Sequence, residues 1–67
     1  MSALDGTLRH VADEVLRDVA MDIFGEEQYL QRFIATNPTD ARLAGAMSGL
    51  QHARIIVENK AAEVRRW

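Results

Sequence analysis

Three carboxylates spaced four residues apart are the residues in this chain whose spacing could serve chemistry. Glu14, Asp18 and Asp22 would form one row along a helix, where like charges repel by about 0.2–0.5 kcal/mol per pair. A cation should therefore lie across from the row, and Arg54, which interrupts a later apolar pattern, is the candidate. A divalent metal ion is the sharper alternative, but metal sites in helical bundles add a Glu-x-x-His element that this sequence lacks. We expect a salt-bridged or solvated acidic row and no metal.

The other possible bases and nucleophiles are isolated along the sequence. His10 falls on the polar side of the first predicted helix, and His52 lies one turn beyond Ser48. A catalytic histidine needs a nucleophile or an acid held beside it in a shaped pocket. Ser2 and Thr7 likewise have no identifiable base partner. We expect no catalytic residue, no cofactor and no small-molecule substrate, and hence a protein that is not an enzyme.

The composition points to a small chain that gains stability from a partner. A core formed by 67 residues rarely supplies more than about 3–5 kcal/mol, and without cysteine there is no disulfide or thiolate-bound zinc to add to it. Residues 1–34 carry a net charge of −4 and residues 35–67 a net charge of +2, which favours contact between the halves, within one chain or between two. An overall charge of −2 offers little to a phosphate backbone, so we expect no nucleic-acid partner.

No targeting or membrane segment stands out. The opening MSALDGTL lacks a basic stretch that leads into an apolar one, and the sequence has no run of about 18 apolar residues. We expect a soluble, cytoplasmic protein with no membrane partner.

Apolar residues recur at helical rather than alternating spacing, which predicts an all-α fold. The first helix is expected over about residues 3–24, with Ser2 or Asp5 as its cap and Gly25 as its stop. A short middle helix should follow over about residues 26–35.

The last helix is expected over about residues 38–65, with Asn37 or Thr39 as its cap. It would be roughly 40 Å long, more than so small a monomer could cover. Its apolar residues recur at alternating steps of four and three, the heptad spacing of a helix-packing seam, with one arginine among them. The members of this seam are Leu43, Met47, Leu50, Arg54, Val57, Ala61 and Val64.

A row of small residues forms a second feature of the last helix. Ala41, Gly45, Gly49 and Ala53 are spaced by four, and we call them the small-residue ridge. Each helical glycine costs about 1 kcal/mol relative to alanine, so another helix should approach closely enough to offset the loss. We expect the seam to contact the first helix, and the ridge, with Ile55 and Ile56 beside it, to contact another subunit. The reverse assignment, with the ridge against the first helix and the seam against another subunit, stays open.

Two further features bear on partners. Trp67 is expected either to anchor on another chain or to pack on its own subunit, because tryptophan and arginine are enriched at interface hot spots. Residues 26–55 could also be mistaken for a DNA-binding helix-turn-helix, but the would-be recognition helix opens with Arg42 as its single base-reading donor.

Residues 41–56, ARLAGAMSGLQHARII, resemble a pattern in small helical proteins of tailed bacteriophages. In these proteins an arginine, a glycine, then Gly-Leu and Ala recur on a C-terminal helix. The resemblance implies a phage or prophage origin, a site of action in the host cytoplasm or the virion, and a helical hairpin that works through protein contacts as a virion-associated or accessory component. It implies no catalytic residue.

These patterns predict a helical hairpin of two longer helices and a short middle helix, assembled as an oligomeric helical bundle. The expected function is that of a non-enzymatic structural or adaptor protein whose partners are copies of itself and another protein. The alternative is a small phage-encoded inhibitor of a host protein, with the acidic row facing a basic partner. A DNA-binding accessory protein is the third hypothesis.

Overall fold

A computed structural model describes residues 3–66, with side chains from residue 6 onward. These residues form two helices and no strand, α1 over Ala3–Thr36 and α2 over Ala41–Arg65. The all-α prediction is confirmed. The helices run antiparallel as a hairpin whose Cα atoms extend over 53 × 14 × 11 Å.

A single seam holds the two helices together. Along α2 the predicted heptad positions, Leu43 to Val64, are all at least partly withdrawn from solvent, with Ala53 and Ala62 half-buried beside them, so the predicted contact of the seam with the first helix is confirmed. Along α1 the partly or fully buried positions recur at the same alternating steps. They are Gly6, Arg9, Asp13, Leu16, Ala20, Ile23, Glu27, Leu30 and Ile34, and Ala12 is half-buried beside them.

The predicted stop at Gly25 is wrong, because α1 continues without interruption through this residue to Thr36. Instead of a separate middle helix, the segment after Gly25 extends the first helix. Gly25 does not adopt the positive φ of a glycine helix stop, and it is exposed on the side away from α2. The seam explains the continuity, since Ile23, Glu27 and Leu30 keep the heptad spacing across the glycine.

The sequence predicted that a monomer would be too small to cover the last helix. The extra length of α1 allows it to cover one side of that helix. Asp13 of α1 lies beside Arg65 near one end of α2, and the interhelical turn joins the other ends. Because α1 has 34 residues and α2 has 25, the seam side of α2 is covered along its whole length.

A tight turn separates the helices. The side-chain Nδ2 of Asn37 donates to the carbonyl oxygen of Phe33 at 3.1 Å and so satisfies one of the last carbonyls of α1. The backbone N–H of Asp40 donates to the carbonyl oxygen of Asn37 at 3.1 Å, which closes a β-turn with Pro38 at its second position. Pro38 therefore directs the turn instead of opening the helix.

Asp40 caps α2, and the predicted caps Asn37 and Thr39 do not. Its Oδ1 accepts a hydrogen bond from the backbone N–H of Arg42 at 2.9 Å, and its backbone is extended, with φ −78° and ψ 106°. The helix begins at Ala41, three residues later than predicted, because the turn occupies the residues before it.

Candidate functional site

Arg54 joins the helices through an ion pair at the middle of the seam. Its Nε donates to Oε2 of Glu27 at 2.5 Å, and its Nη2 donates to Oε1 of the same carboxylate at 3.2 Å. Its Nη1 also donates to Oε1 of Glu58 at 2.8 Å, one turn further along α2. Glu27 is 4% exposed, whereas Glu58 is open to solvent. The cluster thus contains one interhelical pair with two hydrogen bonds and one exposed helical pair.

The surroundings of Arg54 favour its charged form. The hydrogen bond to Glu27 raises its pKa most, the bond to Glu58 raises it further, and desolvation opposes both. The guanidinium carbon also lies 5.6 Å from the ring centroid of Phe24, a cation–π contact. An arginine stays protonated, so Arg54 itself is no acid–base group, and its ion pair with Glu27 joins one helix to the other.

The predicted pairing of Arg54 with the acidic row is wrong. At 100° per residue Asp18 lies about 180° around α1 from Glu27, which places the row on the side opposite the seam. Asp18 and Asp22 are exposed, and Oε2 of Glu14 lies 3.9 Å from Nε2 of His10. The acidic row is exposed to solvent, which is one of the two arrangements expected from the sequence.

Sequence reasoning missed Glu27, although a signal for it was present. Continuing the heptad steps from Leu16, Ala20 and Ile23 leads directly to position 27. The assumed helix stop at Gly25 concealed this continuation. A charged residue in each of two facing seams is itself an indication that the two residues pair.

The small-residue ridge lies outside the contact between α1 and α2. A Cβ added at Gly45 or Gly49 would meet no heavy atom within 4 Å, and Ala41 is exposed. Ala53 is half-buried at the edge of the seam. The reverse assignment, in which the ridge would contact the first helix, is therefore excluded within the chain.

The isoleucines predicted to extend the ridge surface are also exposed. Ile55 is 51% exposed and Ile56 54% exposed, on opposite sides of the outer face of α2. Trp67, the last predicted interface residue, lies outside the described residues.

A second apolar surface lies on α1, and sequence reasoning assigned it to the helix contact. Leu8, Val11, Val15 and Val19 are 40–58% exposed, and we call them the α1 outer stripe. The sequence placed them in the same arc as Leu16 and Ile23, which do face α2. The arc is too wide for one neighbouring helix, and the structure divides it into a covered part and an uncovered part.

Charged side chains surround the open end of the hairpin. Asp13 is an ion-pair partner of Arg17 on its own helix, at 3.3 Å, and of Arg65 on α2, at 3.5 Å. Oδ1 of Asp13 is buried and accepts no hydrogen bond of standard geometry. The Asp13–Arg65 pair joins α1 to the last turn of α2, which agrees with the opposite net charges of the two halves of the sequence.

The hairpin leaves more surface exposed than a compact chain of its size. Its accessible area is 5103 Å², whereas a folded monomer of 7.5 kDa has roughly 4,200 Å². Its radius of gyration is 15.8 Å, compared with about 11 Å for a compact domain of this length. Among the described side chains, the buried apolar ones are Ala61 and Val64.

Within the described part of the chain, no three histidine, aspartate or glutamate residues lie together as possible metal ligands. Neither described helix has the length and apolar character needed to cross a lipid bilayer.

The chain matches no family model, no curated protein and no solved structure. The resemblance of residues 41–56 to phage accessory proteins therefore stays a prediction from sequence.

Proposed function

We propose that this chain is a non-enzymatic structural or adaptor protein that acts through helix–helix contacts with copies of itself and with another protein. The observation that carries the proposal is the mismatch between its apolar content and its burial. Ten large apolar side chains are 40–68% exposed, while the hairpin's own buried apolar residues are Ala61 and Val64 among those described. A second layer of helices would cover this apolar surface, which is the usual solution for a chain with too small a core.

The small-residue ridge is the part of this surface suited to close helix packing. Gly45 and Gly49 leave open space above the backbone of α2, so a neighbouring helix could approach nearer than over larger side chains. No carboxylate occurs on α2 before Glu58, and Arg42 and His52 lie along the outer face. The ridge thus favours a partner helix with apolar side chains and flanking acidic residues.

A role as a phage virion-associated or accessory component is the narrower form of this proposal. It is supported by the resemblance of residues 41–56 and by the placement of these residues on an exposed helix. The exposed side of α2 would serve a structural role and an adaptor role equally well.

The oligomeric state tests the proposal. Light scattering and sedimentation equilibrium at micromolar concentration should give a stable oligomer, and a monomer at every concentration would overturn the proposal. Gly45→Leu should lower the oligomer mass, because the added side chain fills the space above the ridge while intrinsic helix propensity rises. Gly25→Leu is the matched control, since Gly25 is also helical and open but lies on α1 away from the ridge.

The exposed acidic row supports a second candidate, an inhibitor that binds a basic surface of a host protein. Asp18 and Asp22 lie opposite the seam and are free of the Arg54 cluster. A monomeric chain that captures a basic host protein, and loses it on Asp18→Lys substitution, would favour this candidate. Capture that survives the charge reversal would reject it.

A further inference from the structure

We infer that the outer side of α1 in one copy of this chain packs antiparallel on the outer side of α2 in a second copy. The contact matches two lines of three residues each. The α1 line is Leu8, Val15 and Asp22, and the α2 line is Arg42, Gly49 and Ile56. This inference rests on the proposed function and deepens it by naming the self-contact, its orientation and its register.

Neither line is covered within the chain. Leu8 is 58% exposed, Val15 53% and Ile56 54%. A Cβ added at Gly49 would meet no heavy atom within 4 Å. The two helices of one hairpin meet through the seam, so contact between an α1 line and an α2 line has to join two copies.

The two lines have the same spacing. The members of each line are seven residues apart, and an α-helix drifts by only about 20° over seven residues, so each line follows one side of its helix. In the order of the sequence, the α1 line reads apolar, apolar, acidic, and the α2 line reads basic, glycine, apolar. Two helices that bring these sides together can therefore match them at all three positions.

Antiparallel packing matches the lines at every position. The matched pairs are Leu8 with Ile56, Val15 with Gly49, and Asp22 with Arg42. An apolar side chain then meets an apolar one, a branched side chain fills the space above a glycine, and an acid meets a base. Parallel packing would instead set Leu8 against Arg42 and Asp22 against Ile56, which desolvates both charges without pairing them.

The same comparison disfavours contact of either line with itself. Two α1 lines would place Asp22 against Leu8 when antiparallel and against Asp22 of the second copy when parallel. Two α2 lines would place Arg42 against Ile56 or against Arg42 of the second copy. The complementarity thus belongs to α1 with α2, which identifies the occupant of each line as the other line in a second copy.

The charges at the matched ends favour the same contact. Asp22 is exposed next to the like charge of Asp18, and it forms no ion pair with any residue that the structure describes. The side chain of Arg42 is 94% exposed, with a contact of 3.7 Å from its Nε to Oδ1 of Asp40. Pairing Asp22 with Arg42 relieves the repulsion on α1 and brings the acidic half of one copy to the basic half of the next.

Cysteine pairing tests the orientation, because the chain has no cysteine of its own. A disulfide needs Cα atoms within about 7 Å of each other. In the antiparallel contact Leu8→Cys faces Ile56→Cys of a second copy, whereas it lies about 21 Å along the axis from Arg42→Cys. Under mild oxidation, Leu8→Cys should therefore cross-link faster with Ile56→Cys than with Arg42→Cys. Equal rates, or faster pairing with Arg42→Cys, would overturn the register.

Complementation between two blocked variants tests the contact itself. Val15→Glu blocks the α1 line and Gly49→Leu blocks the α2 line, so each variant alone should sediment as a monomer at concentrations where the unaltered protein assembles. A contact between unlike surfaces joins copies into rings or open rows. An equimolar mixture of the two variants should therefore stop at a 1:1 dimer, because one variant keeps its α2 line and the other keeps its α1 line.

Two controls accompany the mixture. Circular dichroism should show unchanged helicity for both variants, since Val15 is half exposed and Gly49 is open in the single hairpin. Gly25→Leu adds a leucine at an open glycine outside both lines, and it should assemble as the unaltered protein does.

The outcomes separate this inference from the proposed function. If either blocked variant alone keeps the mass of the unaltered protein, assembly does not need the blocked line, so the inference is rejected and the proposed function stands. A mixture that stays monomeric also rejects the inference alone. An unaltered protein that is monomeric at every concentration rejects both.

Discussion

Glu27 and Arg54 are 27 positions apart in the sequence and form the interhelical ion pair at the middle of the seam. Both occupy heptad positions whose neighbours along the seam are apolar, Ile23 and Leu30 beside Glu27, and Leu50 and Val57 beside Arg54. Removing a charge from water is unfavourable, so such a pair contributes less to stability than to the choice of register. A slip of either helix would leave the 4% exposed Glu27 without its cation. The pair therefore favours the one register of the hairpin in which Glu27 and Arg54 meet.

This arrangement predicts unequal effects for the two carboxylates that bind Arg54. Glu27→Gln should lower the urea midpoint severalfold more than Glu58→Gln, because only the first substitution leaves a largely buried guanidinium without its carboxylate. Replacing both seam residues, Glu27→Leu with Arg54→Leu, should recover most of the loss. Chemical denaturation of the three variants and the unaltered protein measures these effects, and equal midpoints for the two single substitutions would contradict the assignment.

Replacement of the helical glycines by alanine should stabilise the hairpin. Gly25 is inside α1, and a Cβ there would meet no atom within 4 Å, so Gly25→Ala should gain about 1 kcal/mol. For a chain of this size the gain corresponds to a rise of about 4–8 °C in Tm. Thermal unfolding followed by circular dichroism is the measurement.

The same substitution on the ridge reports whether another helix lies there. In an isolated hairpin Gly45→Ala should gain as much as Gly25→Ala, because both positions are open. In an assembly with a helix packed on the ridge, the added methyl group should reduce or reverse that gain. Identical gains at concentrations where the protein is assembled would mean that the ridge faces water.

The cap of α2 gives a local prediction. Asp40→Ala should cost about 1 kcal/mol, since it removes the acceptor for the backbone N–H of Arg42. Thr39→Ala is the control, because Thr39 precedes the cap and is exposed. A cost at Thr39 equal to that at Asp40 would place the cap one residue earlier.

Periodicity in the sequence determined the all-α fold, the break near Asn37 and the heptad seam of α2, because these features follow from local spacing and backbone propensity. It also identified Arg54 as a paired cation. Its partner was misassigned, since the apparent stop at Gly25 hid the heptad that leads to Glu27. Helix propensity at one glycine is worth about 1 kcal/mol, and packing along the seam outweighs it.

Tertiary structure alone decided which apolar residues are covered. The sequence grouped Leu8 and Val15 with Leu16 in one arc, but a single neighbouring helix covers only part of that arc. It also decided that the glycines of the ridge face away from α1. Local spacing fixes which residues share a side of a helix, whereas the direction of that side depends on contacts between residues far apart in the chain.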